Sequence, residues 1–380
     1  MKKTRVSLLL SISVSVLFLL LYIFKGFDAM EAKAVDLRFR LRGPRAPHPD
    51  VVIVTVDEKS ITEMGRFPWR RSVHAKLIDF LDKAGAKAIA FDILFTEPDK
   101  DHPDGDRALG RAAERSGKVV FGMLFTPGDD GLPASPLTTI PELRGPHVRE
   151  ASVNILYETD GVARTLPVWL DYKDSIVPSL AFGALAVAQG KTSEELISSL
   201  NLPVDGAWHE LSLNYAGGYQ TFPYFSYTDV VNGREPQEFF KDKIVFVGGT
   251  ATALFDLKAS PFAAVFPGLE IHANAMDNYL SGNYLSRVSY RWTIALLLLV
   301  GVAGGILFGR ASIRVGASTT AALLAGYFGL CQVLFSHRNV VLDSMALFPL
   351  LGQEPVEQDG NEDEEQFERG RHGIEHHVAV

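Results

Sequence analysis

Three charge-free apolar runs of membrane length, one near the start of the chain and two toward its end, constrain the fold more than any other feature. Residues 6–24 are long enough to cross ~30 Å of hydrocarbon as a helix. They follow Lys2, Lys3 and Arg5, a positive flank that stays in the cytoplasm. A cleaved secretory signal is the competing reading. The run outlasts a usual signal core, however, and Tyr22-Ile23-Phe24-Lys25 offers no small-residue cleavage site, which favours a retained anchor over residues 1–25. Residues 292–308 and 315–335 form the other two runs, joined by a loop whose Arg310 and Arg314 return it to the cytoplasm. These signs agree on a multi-pass inner-membrane protein with residues 26–291 outside and a membrane region over residues 292–352. A further run, residues 340–352, is too short to span. Residues 353–380 then hold nine acidic side chains and almost no apolar pattern, which predicts a disordered tail. His372, His376 and His377 lie in that tail and read as solvated rather than metal-binding.

Within the outside region, strands and helices alternate. VVIVTV (51–56), KAIAF (87–91), 118–125 and 243–247 read as buried strands. Residues 28–41, 73–84, 107–115, 176–189 and 268–280 read as helices. Pro178 would then sit in the first turn of the 176–189 helix. Near-continuous apolar strands separated by helices predict an α/β fold, a mostly parallel sheet covered by helices on both faces. Residues 127–146, rich in Gly and Pro, read as a loop, and Asp160-Gly161 as a hairpin turn between 154–157 and 162–170. On residues 28–41, Ala29, Ala32, Val35 and Phe39 mark one helical face.

Chemistry is expected where such a sheet delivers polar residues, outside the carboxyl ends of its strands. Asp57 follows the first strand, Asp92 the second, and Gly248-Gly249-Thr250 the last. Arg66 and Arg70, held near by Pro68-Trp69, are natural partners for carboxylates that are costly to bury unpaired. The expectation is that Asp57, Arg66 and Asp92 meet at one sheet edge, the two acids ending neighbouring strands. Trp69, Asp256 and His272 complete the candidate ligand-lining set. A plainer reading stands beside each of these. Asp57 caps the helix that follows it, Trp69 is a packing anchor, and the glycine pair forms a tight turn without the Lys-Ser/Thr of a phosphate loop.

The balance of 45 acidic against 37 basic residues, with no basic stripe, argues against nucleic acid as a partner. A single cysteine, Cys331, rules out an intrachain disulfide and a Cys-based metal knuckle. No cofactor is expected. A nucleophile elbow is lacking, so serine catalysis has little support. The enzymatic alternative is a membrane-tethered, metal-dependent hydrolase using Asp57 and Asp92.

The sequence resembles the CHASE2 family, an extracytoplasmic sensory domain of bacterial signalling receptors. The resemblance rests on Asp36-Leu37-Arg38-Phe39-Arg40, VVIVTVDEKSI, Gly65-Arg66-Phe67-Pro68-Trp69-Arg70, AGAKAIAFDILFTEPD, Asp160-Gly161-Val162-Ala163-Arg164, VFVGGTA and PGLEIHANAMDNYLSG. It implies an N-terminal anchor, the sensor outside, and three membrane helices before a cytoplasmic output, commonly an adenylate or guanylate cyclase, otherwise a kinase or diguanylate cyclase. No catalytic module is recognisable after Leu351, so only the sensor part is carried over and enzymatic activity is not expected. The resulting reading is a membrane-bound sensory module that passes the binding of a small-molecule or environmental ligand through its membrane helices. Gly301, Gly305 and Gly309 give two G-x-x-x-G steps that permit close helix contact, and a homodimer is expected.

Overall fold

The computed structural model describes residues 13–345 apart from 14–15, 18, 129–132, 174, 206–207, 252–253, 255–256, 296–298 and 300–312. The central sheet uses seven strands: β1 (Val51–Val56), β2 (Ala88–Leu94), β3 (Val119–Pro127), β4 (Pro133–Leu137), β5 (Arg149–Ser152), β6 (Tyr224–Ser226) and β7 (Ile244–Gly249). Their order is β6-β1-β7-β2-β3-β4, with β5 also paired to β3. Every pairing is parallel except that of β4 with β3.

The alternation of side chains along β1 explains why all six of its residues are buried. Val51 and Ile53 enter one hydrophobic cluster, while Val52, Val54 and Val56 enter the other. Helices α3 (Arg71–Lys83), α4 (Pro103–Ser116) and α6 (Tyr227–Val231) cover the second face. Helices α5 (Leu180–Ala188) and α7 (Gly268–Ser281) cover the first, joined there by Val35 and Phe39 of α1 (Asp28–Arg42). Close approach of α5 depends on Gly183, where a Cβ would lie 2.7 Å from the Ala151 side chain of β5. Short α2 (Glu58–Met64) follows β1, and α8 (Ile313–Arg338) returns to pack its C-terminal end on α1. Phe39 marks that junction, with its ring 4.9 Å from Phe335 and 6.0 Å from Tyr215.

The α/β class with a mostly parallel sheet is therefore as the sequence predicts, and several local expectations are not. Residues 133–137 form an antiparallel edge strand where a loop was expected; its prolines are tolerated because an edge strand leaves one row of amides unpaired. Pro178 ends a short strand, Ser175–Pro178, and the helix starts only at Leu180. Around Asp160-Gly161 the turn closes as expected, Gly161 donating to the Glu158 carbonyl and Glu158 to that of Val162, but its flanks pair at one bridge, Leu156 with Thr165, in place of two strands. On α1 the buried face carries Glu31, Asp36 and Arg38 beside Ala34, Val35 and Phe39, while Ala29 is exposed. Asp57 and Asp92 do not end neighbouring strands, since β7 lies between β1 and β2.

Among the described residues, no helix is long and apolar enough to cross a membrane. The first apolar run lies only partly within those residues, and most of the second lies outside them. So do Gly301, Gly305, Gly309 and the acidic tail.

Candidate functional site

Three parallel strands bring their carboxyl ends to one sheet edge. The register sets Thr55 of β1 beside Gly248 of β7, and Gly248 beside Asp92 of β2. Space at the glycine between these strands is tight. A Cβ at position 248 would lie 3.2 Å from the Asp92 Cβ and 3.1 Å from Leu269. Asp57, directly after β1, is engaged through one of its carboxylate oxygens. Its Oδ1 accepts from the Ser60 amide (2.8 Å), the Ser60 hydroxyl (2.5 Å) and the Ser226 hydroxyl (2.9 Å). It is the N-cap of α2, which is why a buried strand ends on an acid. Thr250 is buried, its hydroxyl hydrogen-bonded to that of Thr55 and its amide donating to the Val56 carbonyl.

The arginines do not join this row. Arg66 and Arg70 are exposed and form no ion pair among the described residues. Trp69 is buried, donates from Nε1 to the Gly65 carbonyl (2.9 Å), and packs 5.4 Å from the Phe67 ring and 5.0 Å from the Tyr227 ring. It is a packing anchor. His74 lies beneath it, fully buried, with Nδ1 2.7 Å from the Tyr227 hydroxyl. Burial, aided by the nearby Arg71 charge, lowers its pKa to about 3, so the ring is neutral. His272 is equally buried on α7 among apolar neighbours, and burial lowers its pKa to about 4. Neither of its ring nitrogens makes a hydrogen bond of normal geometry, although the Val153 backbone is close by. Asp256 lies outside the described residues.

A second, denser polar site lies where α1 meets the domain. One face of α7 is polar at Glu270, Asn274, Asp277 and Asn278, and all four are buried. This face serves the backbone of residues 214–221 as a neighbouring strand would. Asn278 exchanges two hydrogen bonds with Asn214, its Oδ1 accepting from the amide (2.8 Å) and its Nδ2 donating to the carbonyl (2.9 Å). Asn274 accepts from the Ala216 amide (2.8 Å). Glu270 accepts from the amides of Gln220 (3.3 Å) and Thr221 (3.1 Å) and from the Tyr224 hydroxyl (2.8 Å). Among the described residues, no cation pairs with this carboxylate. Burial pushes its pKa up to about 7 against the pull of those neutral donors.

Both chain segments that flank the domain attach to this core. From the end of α1 and the turn after it, Arg42 donates to Asn214 Oδ1 (2.5 Å) and to the Tyr215 carbonyl, and Arg45 donates to the Asn214 carbonyl (2.6 Å) and to Asp277 (3.3 Å). From the far side, Asn339 Oδ1 accepts from Asn214 Nδ2 (2.9 Å). Further along α1, Asp36 takes both prongs of the buried Arg164 guanidinium at 2.9 and 2.8 Å. Glu158 (2.6 Å) and Asp160 (2.9 Å) crowd the same group. Burial opposes the charge on Arg164, but these carboxylates outweigh it and raise its pKa. In return, Arg164 holds the Asp160 carboxyl far below the usual range. Finally Glu31 pairs with Arg38 (3.0 Å) and accepts from the Ser344 amide (2.7 Å), the Ser344 hydroxyl (3.0 Å) and the Met345 amide (2.8 Å). A carboxylate on α1 thus anchors the start of the last apolar run.

Sequence reasoning placed Asp57, Gly248, Gly249, Thr250 and Asp92 along one edge but missed this second site. One signal was available. Polar residues at 270, 274, 277 and 278 recur at helical spacing in an otherwise apolar segment, so they must face something that needs hydrogen bonds. Nothing local reveals that Asp36 meets Arg164, or Glu31 meets Ser344.

Among the described residues, no group of three or more His, Cys, Asp or Glu could hold a metal. What the arrangement can do is carry displacement: α1, α7, residues 214–221 and residues 339–345 share one hydrogen-bonded network, and none can shift without breaking buried bonds. Comparison with known proteins finds a match to the family described as the CHASE2 domain over residues 13–307. No curated protein and no solved structure matches the chain.

Proposed function

The chain belongs to the CHASE2 domain family, a family of extracytoplasmic sensor domains, and from that premise we propose that it is the membrane-anchored sensory module of a signal-transduction receptor. In this reading residues 6–24, 292–308 and 315–335 cross the membrane and the α/β domain senses outside it. A ligand then shifts the population of domain conformations and with it the packing of the membrane segments. Ligand-lining roles for Asp57, Asp92 and the Gly248-Gly249-Thr250 turn belong to this proposal. So does a dimer packed through Gly301, Gly305 and Gly309.

One observation carries the reading. The segments leaving the first and the last of these membrane runs are bound into the same buried network, through Arg42, Arg45 and Glu31 on one side and Asn339 and Ser344 on the other. A displacement of α7 reaches both. The hydrolase alternative gains nothing comparable, since Asp57 already spends its Oδ1 on three donors.

The test is hydrogen exchange read by mass spectrometry on the full chain in detergent. Asp277→Ala removes the acceptor shared by His48 and Arg45. It should raise exchange not only near α7 but in residues 28–45 and 339–345. Unchanged protection of those two segments would show that the domain and its flanks are uncoupled. Carbonate washing of membranes is the companion measurement, and release of the protein into the wash would refute the anchor.

A further inference from the structure

Several chain segments converge on a cavity of about 650 Å³ beside the Glu31 anchor point. Its lining is amphipathic. Ile23, Phe27 and Ile294 supply apolar surface, while Lys25, Asp28, Arg287 and Asp343 supply charge. Two other acids in the wall already face a cation, Glu31 paired with Arg38 and Glu158 with Arg164, a guanidinium it shares with Asp36 and Asp160. Lys25, Asp28 and Arg287 are exposed and form no ion pair among the described residues. Among the described residues, the Asp343 carboxylate accepts from the hydroxyls of Tyr22 (2.5 Å) and Thr293 (3.4 Å) and forms no ion pair. Two cations and two anions are therefore left for a ligand. Tyr290, in the lining, is 58% exposed, and Phe24 and Trp292, close in sequence to lining residues, are 78% and 72% exposed. Large aromatic side chains in that position suit the boundary between lipid and water, where their rings take up headgroup level.

We propose that this cavity binds the headgroup of a zwitterionic, amine-bearing phospholipid. The phosphate would lie against Lys25 and Arg287, the ammonium group against Asp28 and Asp343, and the first acyl carbons along Ile23 and Phe27. A purely anionic headgroup would leave both acids facing negative charge, which is the ground for choosing the zwitterion. Because Glu31 also lines the cavity and holds Ser344 and Met345, an occupied cavity braces the start of the last apolar run. The inference rests on the membrane-anchored reading above and adds a ligand to it.

The experiment uses the full chain, extracted in dodecyl maltoside, delipidated, and followed by native mass spectrometry and thermal unfolding. The probes are dioleoyl phosphatidylethanolamine, dioleoyl phosphatidylglycerol and the soluble headgroup glycerophosphoethanolamine. One phosphatidylethanolamine should bind per chain and raise the midpoint, with phosphatidylglycerol binding more weakly and the soluble headgroup without effect at the same concentration. The Lys25→Gln/Arg287→Gln double variant should keep its circular dichroism spectrum and bind the lipid about tenfold more weakly, the loss expected for two solvent-accessible phosphate contacts. The proposal is overturned if phosphatidylethanolamine does not bind, if phosphatidylglycerol binds as tightly, or if the double variant binds unchanged. A soluble headgroup as effective as the lipid would overturn it in favour of a free phosphate ester. Carbonate washing of membranes reports on the anchor by itself, so failure of that reading is seen separately from failure to bind lipid.

Discussion

Replacing Glu270 with Gln tests the buried network through a carboxylate that pairs with no cation among the described residues. The Glu270 carboxyl has no exposed surface, and its partners are two amides and a phenol. Burial raises its pKa from 4.5 to about 7. The folded state therefore holds this proton more tightly than the unfolded chain does. The favourable contribution is full below pH 4.5 and is lost as pH rises through about 7, where both states are ionised. A rise of that size corresponds to about 3 kcal/mol. A glutamine is neutral throughout, and its Oε1 can accept from Thr221 while its Nε2 donates to the Tyr224 oxygen. The stability difference between the Gln variant and the parent should therefore grow by about 3 kcal/mol in the variant's favour between pH 4 and pH 8. Every other titrating group is common to both proteins and cancels. Urea unfolding of the full chain in detergent at a series of pH values, followed by tryptophan fluorescence, measures it. A difference that stays constant across that range would refute the reasoning and mean that Glu270 reaches a cation or water when folded.

Other outcomes follow from the same packing. Arg164→Met strands the buried Asp36 carboxylate and should cost about 3–5 kcal/mol by denaturant unfolding, much of it recovered by adding Asp36→Leu. Asp57→Ala should cost about 1 kcal/mol through the lost α2 cap, while Asp57→Asn, which can still cap, should cost little; equal losses would point to a role for the charge itself. His74 is held neutral by burial, so its contribution is present above the usual 6.5 and lost as pH falls toward about 3. His74→Leu should accordingly move the acid unfolding midpoint to lower pH, and an unmoved midpoint would show that His74 does not govern acid unfolding.

The amino-acid sequence by itself determined the elements whose signal is local. Six consecutive β-branched residues, four of them valine, make β1 from Val51 to Val56 because such side chains favour a pleated backbone buried on both sides. Alternation of such strands with helices then implied a parallel sheet, and strand ends implied where Asp57, Asp92 and Gly248-Gly249 would lie. Local pattern misled where neighbours in space overrode it. Pro133 and Pro136 entered an edge strand because β3 offered it hydrogen bonds, and the segments flanking the Asp160 turn pair at a single bridge while Asp160 itself pairs with Arg164. Only the tertiary structure decided that β7 inserts between β1 and β2, and that Asp36 pairs with Arg164, 128 positions away. It also decided that Glu31 meets Ser344 across 313 positions. The physical reason is the same in each case. A strand's pattern states that it will be buried but not beside which strand, and a buried charge must find a partner without its own sequence neighbourhood naming one.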